Sequence, residues 1–495
     1  MSHPSLLCPT SPEQTPPLNS LLGVDYEKGV DFTVPSRFRF RKLTYSQARL
    51  EDVRSLLFHC PAASLIRHVL NQIHTLTYDS PSGKPCYGTN TTGAGKKLVI
   101  EYSSPNVAKS FHVGHLRSTI IGAFLANLYR TCGWEVVSMN YLGDWGTQYG
   151  SKEQLSQDPI KHLYDVYVKV SKDADTDPDV KSEVGKEWMD TAIERLDQLG
   201  LISDANGAKL VDLEKWKLGK AVLRNADGTS IYLTRDTAGA IERWEKYRFD
   251  KMIYVVASQQ DLHLARKIFQ ILKLMDFAWA GRLEHVNYGL VLGMSTRKGT
   301  AETASVMHEQ MKRNEEKYNS IEDPEYISQE VGITGIKIQD MAAKRYGFRV
   351  KRINNYTFNW DRMLSFEGDT GPYLQYAHVR LTSMERKNPE LLPLPPPSQI
   401  DTSLLVESGH ARDIAILLGS YLDVVKTALK THEPSGVVTF AFRRAHAISS
   451  AWETLVVKGE NDLDKARARL WLYVCARDVL GAAMRLLSIR LLERM

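Results

Sequence analysis

The residues best suited to chemistry in this 495-residue chain fall into three groups. The first is His112-Val113-Gly114-His115, which follows an apolar run and opens a long helical pattern. A helix N-terminus presents free N–H groups and partial positive charge. Imidazole N–H groups there can donate to phosphoryl oxygens, and glycine leaves room for a flat base against the backbone. The second is the loop Gly293-Met294-Ser295-Thr296-Arg297-Lys298-Gly299-Thr300. Its hydroxyls, two cations and flanking glycines suit a segment that closes over a leaving pyrophosphate. The third is Glu101, Asn106, Tyr232, Asp236 and Gln260, all expected at strand ends. Two buried carboxylates without a metal require a cation, and a planar guanidinium fits best because it donates in pairs. Plainer readings stand beside these: a solvated turn for the loop, and internal salt bridges from Glu101 or Asp236 to Arg235 or Arg117.

The elements that would position these residues read as strands and helices in alternation. Leu98 to Tyr102 is a buried strand. Leu116, Ile120, Phe124 and Leu128 then recur every four positions on one helical face, and Gly133 ends that helix. Val136 to Leu142 reads as the next strand, and the turn Gly143-Asp144-Trp145-Gly146 follows it. Further on, Thr229 to Asp236 reads as a strand, Met252 to Ala257 as a strand buried on both faces, Leu262 to Met275 as a helix, and Val286 to Leu292 as a strand. Such alternation predicts an α/β fold, a doubly wound parallel sheet with ligands at the carboxyl ends of its strands. From Lys337 onward the pattern is helical. Ala411–Thr431, Val437–Val457 and Leu463–Ile489 are amphipathic stretches that predict a helix bundle, behind a stiff Pro-rich connector at 391–399.

The expected domains are a disordered leader (1–29), a small α+β remnant and linker (30–95) with a helix at Ala62–Ile73, the catalytic sheet domain (96–336) with an insert near 151–207, and the bundle (337–495). Within the insert, a helical pattern runs through Trp188–Leu199. Hydrophobic residues make up 43% and charged residues 24%, as in ordinary globular proteins. No apolar run approaches the roughly eighteen residues a bilayer span requires. Five scattered cysteines argue for reduced thiols and against a zinc site, and no bound metal is expected. The net charge of +5 is uneven: residues 341–495 hold 22 Lys and Arg against 16 Asp and Glu, so a basic C-terminal third fits a polyanionic partner. Tyr373 and Tyr376, three apart at the head of a helix, could stack on unpaired bases, or could equally be helix core.

Taken together, SSPN, FHVGHLRS, MNYLGDWGTQYG, IYLTRD, ASQQDLH, GMSTRKGT and SFEGDTGPYLQYAH resemble the arginyl-tRNA synthetases of the eukaryotic, fungal cytosolic type, in order and spacing. The resemblance spans most of residues 95–495. It implies activation of L-arginine by ATP, as its magnesium complex, and transfer to the 3′-terminal adenosine of tRNA(Arg), in the cytoplasm, by a monomer with no membrane association. By the same resemblance His112, Gly114 and His115 match the ATP-binding HIGH motif, and Met294, Ser295, Thr296 and Arg297 match the second signature loop. Thr296 stands there in place of the usual lysine, and Lys109 is placed to substitute for it. Glu101, Tyr232 and Asp236 match residues that hold the arginine guanidinium, Asn106 and Gln260 those near its amino group, Ser104 a further arginine-binding position, and Tyr373 and Tyr376 the anticodon-stacking positions.

The chain departs from the family pattern at several points. The N-terminal tRNA-gripping domain and the stretch from Gly150 to Ala208 are short, and the helix after Thr300 is missing. Lys-Arg is repeated at 344–345 and 351–352 around extra residues, and the usual tryptophan near Val456 is replaced. A second reading follows: a gene model that has lost coding stretches, or a non-catalytic tRNA- or RNA-binding relic.

Overall fold

The computed structural model describes residues 32–35, 48–52, 55–58, 61–80, 83, 85–105, 113–141, 186–226, 231–292, 323–342, 344–345, 348–349, 351–357 and 368–495. At its centre is a parallel sheet of four strands in the order β10-β9-β4-β5: β4 Lys97–Glu101, β5 Glu135–Met139, β9 Lys251–Tyr254 and β10 Leu283–His285. The chain enters at β4, winds outward to β5 through helix α2 (Val113–Thr131), and returns to the other side of β4 at β9. That reversal leaves a crevice at the carboxyl ends of β4 and β9, where ligands bind in doubly wound sheets. The register pairs Glu101 with Met139 on one side and Tyr254 on the other, so the last residue of β4 sits at the lip of the crevice.

The alternation of side chains along β4 divides the interior. Leu98 and Ile100 point into one core with α2, while Val99 points into a second. The second core is closed by helix α4 (Tyr232–Tyr247), by α5 (Phe269–Leu274) with the π-wound Leu262–Ile268 before it, and by an antiparallel meander of β6 Ile202–Ala205, β7 Ala208–Asp212 and β8 Lys220–Arg224. Helix α3 (Lys186–Gln198) packs on α4. Tyr102 fixes the approach of α2 to β4: a Cβ on Gly122 would meet its side chain at 2.1 Å, so only glycine fits there.

The C-terminal part is a bundle of α6 Pro324–Ala342, α7 Gly371–Lys387, α8 Gly409–Gly419, α9 Tyr421–Thr431, α10 Pro434–Ala451 and α11 Leu463–Leu486. Thr370 caps α7, its side chain accepting from the Tyr373 N–H, and Asp462 caps α11 by accepting from the N–H groups of Asp464 and Lys465. The bundle is not sealed off from the sheet. Ile120, Phe124 and Leu128 of α2 share one continuous core with Val437, Leu472 and Val479.

Several expectations require correction. Of the strand expected at Thr229–Asp236, Thr229 and Ser230 lie outside the described residues, and the rest is not a strand. Ile231 is extended (φ −103°, ψ 170°) and the helix α4 begins at Tyr232. The β-branched run Thr229, Ile231, Thr234 suggested a strand, but Leu233, Thr237 and Ala240 form a buried helical face. The strand expected at Val286–Leu292 lies earlier, as β10, with only Val291–Leu292 (β11) pairing with Tyr356–Thr357. The helix expected at Ala411–Thr431 is two helices that break at Ser420. Helix α6 runs unbroken across the sheet–bundle boundary expected at 336, and α1 (Ala62–Tyr78) packs on α8 and α11 of the bundle. Cys132 and Cys475 are free and buried, whereas Cys86 is disulfide-bonded, against the expectation of reduced thiols throughout.

Candidate active site

The site is built where β4, β9 and the first turns of α2 and α4 converge. Glu101 ends β4 with one carboxylate oxygen accepting from the Ser104 hydroxyl at 3.1 Å. The Ser104 oxygen in turn accepts from the Tyr141 N–H at 2.9 Å, tying the β4 and β5 exits together. Ser103 is left-handed (φ 56°) and its N–H donates to the Ser118 hydroxyl of α2 at 3.1 Å; that hydroxyl donates to the Val255 carbonyl after β9 at 2.8 Å. One serine therefore spans the three segments that frame the crevice. His115 lies in the first turn of α2, and its carbonyl accepts from Thr119 at 2.9 Å. Tyr288 donates to the Gly114 carbonyl at 3.1 Å, so the helix start is also held from the segment that leads toward residue 293.

The cationic partners differ from those the sequence suggested. Glu101 meets Arg243, not Arg117 or Arg235, at 2.8 Å. The Arg243 guanidinium lies 5.4 Å from the ring centre of Tyr141 and 5.6 Å from that of Tyr254. Burial pushes the Glu101 carboxyl up, against the pull of Arg243 and Ser104. Burial would lower the Arg243 pKa, but Glu101 and Tyr254 raise it further, so the guanidinium stays charged. Asp236, one helical turn after Tyr232 on α4, meets His263 Nε2 at 2.6 Å. Arg243 is two turns beyond Asp236 on the same face of α4. Reading the start of that segment as a strand hid this periodicity, and with it the pair. His263 stood in the ASQQDLH motif without an assigned role.

Arg117 has a different task. It is fully buried and donates to the carbonyls of Gly289 at 2.6 Å, Arg352 at 2.9 Å and Asn354 at 3.3 Å, with Nε 3.5 Å from Asp340 of α6. It thereby joins the helix of His115 to the pair formed by β11 and Tyr356–Thr357, and to the bundle.

Among the other expected site residues, Tyr232 is exposed on the first turn of α4, with Arg235 over its ring at 5.9 Å, and Gln260 is exposed in a short helical turn after β9. Asn106, Lys109, His112, Met294, Ser295, Thr296 and Arg297 lie outside the described residues, as does Gly143-Asp144-Trp145-Gly146. Tyr373 and Tyr376 sit at the head of α7, away from the crevice. Tyr376 is exposed, whereas the Tyr373 hydroxyl lies 3.1 Å from that of Ser449 and its ring stacks on His446 at 5.4 Å. Arg380 lies over both Tyr376, at 5.5 Å, and Trp452, at 3.9 Å. Among the described residues no cluster of His, Cys, Asp and Glu could hold a metal ion, and no helix is long and apolar enough to cross a membrane.

Comparison with known proteins agrees with this layout. Residues 84–186 and 181–360 match the model of the class I tRNA synthetase (R) catalytic domain, and residues 374–495 match the DALR anticodon binding domain. The cytoplasmic arginine–tRNA ligase of Saccharomyces cerevisiae is 46% identical over 488 aligned positions, covering 83% of this chain and 79% of that protein. A probable cytoplasmic arginine–tRNA ligase of Schizosaccharomyces pombe is 43% identical, with the same coverage. Those 488 positions draw on only 83% of a 495-residue chain, so the yeast protein carries residues inside the matched span that this chain lacks. In fold, the chain is similar to the arginyl-tRNA synthetase structure of Thermus thermophilus, with a TM-score of 0.70, 20% identity and coverage of 91% and 88%.

A parallel-sheet catalytic domain whose helix α2 packs into an anticodon-binding bundle defines a class I aminoacyl-tRNA synthetase. Within that class, the chain belongs to the arginyl-tRNA synthetases. Its activity is that of an ATP-dependent arginine–tRNA ligase.

Proposed function

We propose that the crevice at the ends of β4 and β9 divides this reaction between an arginine half and an ATP half. Glu101, Ser104, Tyr232 and Asp236 surround the guanidinium of L-arginine, and Asn106 and Gln260 receive its amino group. His112, Gly114 and His115 at the head of α2, with Met294, Ser295, Thr296 and Arg297, hold ATP, which enters as its magnesium complex. Lys109 supplies the cation that Thr296 lacks. The observation that carries the reading is the convergence of Glu101, Asp236, Gln260 and His115 on the carboxyl-end edge of one parallel sheet.

No side chain has to act as acid or base. The arginine carboxylate is already a nucleophile. Its oxygen bonds to the α-phosphorus of ATP as the bond to the bridging oxygen breaks, and pyrophosphate leaves. A hydroxyl of the terminal adenosine of tRNA(Arg) then attacks the adenylate carbonyl, and AMP leaves. Positioning, together with stabilisation of charge at the α-phosphate, supplies the catalysis. At the far end, Tyr376 with Arg380 and Trp452 offers an exposed aromatic and cationic surface for unpaired anticodon bases; Tyr373, engaged by His446 and Ser449, supports it. The protein works as a cytoplasmic monomer.

The deciding experiment incubates purified protein with ATP, labelled arginine and total tRNA, and measures arginyl-tRNA. Charging is expected, and it is lost in His115→Ala and in Asp236→Ala while tRNA still shifts in a gel. No product from the unmodified chain, with tRNA still bound, would establish a binding relic; unchanged charging in either variant would refute that residue's assignment.

A further inference from the structure

Two carboxylates face the arginine half of the crevice, and their partners leave them unequally available. Glu101 is 6% exposed, and both of its oxygens are engaged, by Ser104 at 3.1 Å and by Arg243 at 2.8 Å. Arg243 is itself buried, with Tyr141 and Tyr254 beside its guanidinium. An incoming cation that took Glu101 would strand a buried guanidinium without its counter-ion, which is strongly unfavourable. Glu101 therefore keeps Arg243 as its partner when a further cation binds beside it.

Asp236 is held by a partner that can leave. Its side chain is 29% exposed and that of His263 is 27% exposed, so either can turn to water. The contact is one nitrogen to one oxygen at 2.6 Å, where a guanidinium would offer two parallel donors. His263 also lies on the π-wound stretch Leu262–Ile268, a rare winding found mostly at functional sites.

We infer that His263 stands in for the substrate guanidinium. It donates to Asp236 and yields that carboxylate when arginine binds, so the strength of this internal contact sets the affinity for the amino acid. The inference rests on the reading of Asp236 as the guanidinium acceptor.

Steady-state charging kinetics, with arginine and ATP varied separately, provide the test. His263→Asn is too short to reach Asp236, and His263→Phe fills the ring space without a donor. Both are expected to lower KM for arginine three- to tenfold, with KM for ATP and kcat within twofold of the parent. His263→Gln keeps an N–H donor within reach and should return KM for arginine toward the parent value, which a role in packing alone would not. A rise or no change in KM for arginine in the Asn and Phe variants overturns the proposal; if only one of the two folds, by thermal unfolding, that one decides. Asp236→Asn separates the two levels. An arginine KM raised a hundredfold or more there keeps the site reading whatever His263 does, and an unchanged one removes the site reading itself.

Discussion

Two fully buried arginines, Arg117 and Arg444, show how differently the joint and the bundle interior treat the same side chain. At the joint, Arg117 has a carboxylate and three backbone carbonyls around its fork, and the rings of Tyr288 and Tyr356 at 5.8 and 4.9 Å. Tyr356 in turn donates to Asp340 at 3.0 Å. In the bundle, one Arg444 nitrogen donates to the Ala476 carbonyl; among the described residues its Nε and Nη1 have no acceptor and no carboxylate forms an ion pair with it. Burial pushes its pKa down to about 9, with Tyr87 and Tyr421 pulling the other way. The contrast separates a charge that fixes an arrangement from one that the surrounding core merely tolerates. Arg117 is needed because three chain segments meet at it without regular structure to align them. Helices α10 and α11 align each other without help from Arg444, through Val438, Ala445, Leu472 and Val479.

The largest expected effect follows from cutting the joint. Arg117→Met would leave Asp340 buried without its cation and three carbonyls without their donors, a loss of about 3–5 kcal/mol. Urea unfolding should show it, and charging should fall with it, because the same guanidinium aligns the helix of His115 with the strand leading to residue 293. Arg117→Lys keeps the charge but offers a compact ammonium in place of a planar fork, so it should recover part of the stability and little of the charging. Full stability in Arg117→Met would erase the distinction between the two arginines.

A smaller effect sits on the same joint and depends on pH. Burial pushes the Asp340 carboxyl up to about 6, outweighing the pull of Arg117 and of the Tyr356 hydroxyl. The folded state therefore binds this proton more tightly than the unfolded chain does. As pH falls from about 7 to about 4.5, protonation of Asp340 should add about 2 kcal/mol of stability. Asp340→Asn should remove that increment, read as the difference in urea stability between the two pH values for parent and variant. A variant with the parent's slope would place Asp340 with ordinary surface carboxylates.

What could be read from the sequence, and what could not, divides along the same line. Leu98–Ile100 and Met252–Ala257 are continuous apolar runs, and their place in a parallel sheet follows from burial on both faces. Helix α2 follows from its four-residue spacing. The Arg117 site has no such signature, because its acceptors are carbonyls of residues 289, 352 and 354, and any residue type supplies a carbonyl. Nothing in the repeated Lys-Arg at 351–352 foretells that Arg352 donates to Asn287 and to the His432 carbonyl and accepts from Arg117. Which core the face of α1 would join was equally hidden, since an amphipathic helix records that it has a partner but not which one. In the crevice, Glu101, Tyr232 and Asp236 stood out by motif and residue type. Arg243 was not, because the pattern TSIYLTRD satisfies a strand and a helix start alike until the buried face at Leu233, Thr237 and Ala240 decides between them.

The smallest expected effect has the opposite sign and completes the contrast. Arg444→Met replaces a poorly satisfied charge with an apolar chain of similar length, among Tyr87, Tyr421 and Phe440. The lost hydrogen bond to Ala476 is minor, because that carbonyl lies within α11. Removing the cost of burying a guanidinium without a counter-ion should offset the loss, leaving the variant between unchanged and about 2 kcal/mol more stable. Thermal and urea unfolding of Arg444→Met beside Arg117→Met would then move in opposite directions, although the two substitutions are chemically identical. If both variants lose several kcal/mol, Arg444 is as structural as Arg117, and a buried acceptor such as an ordered water must satisfy it.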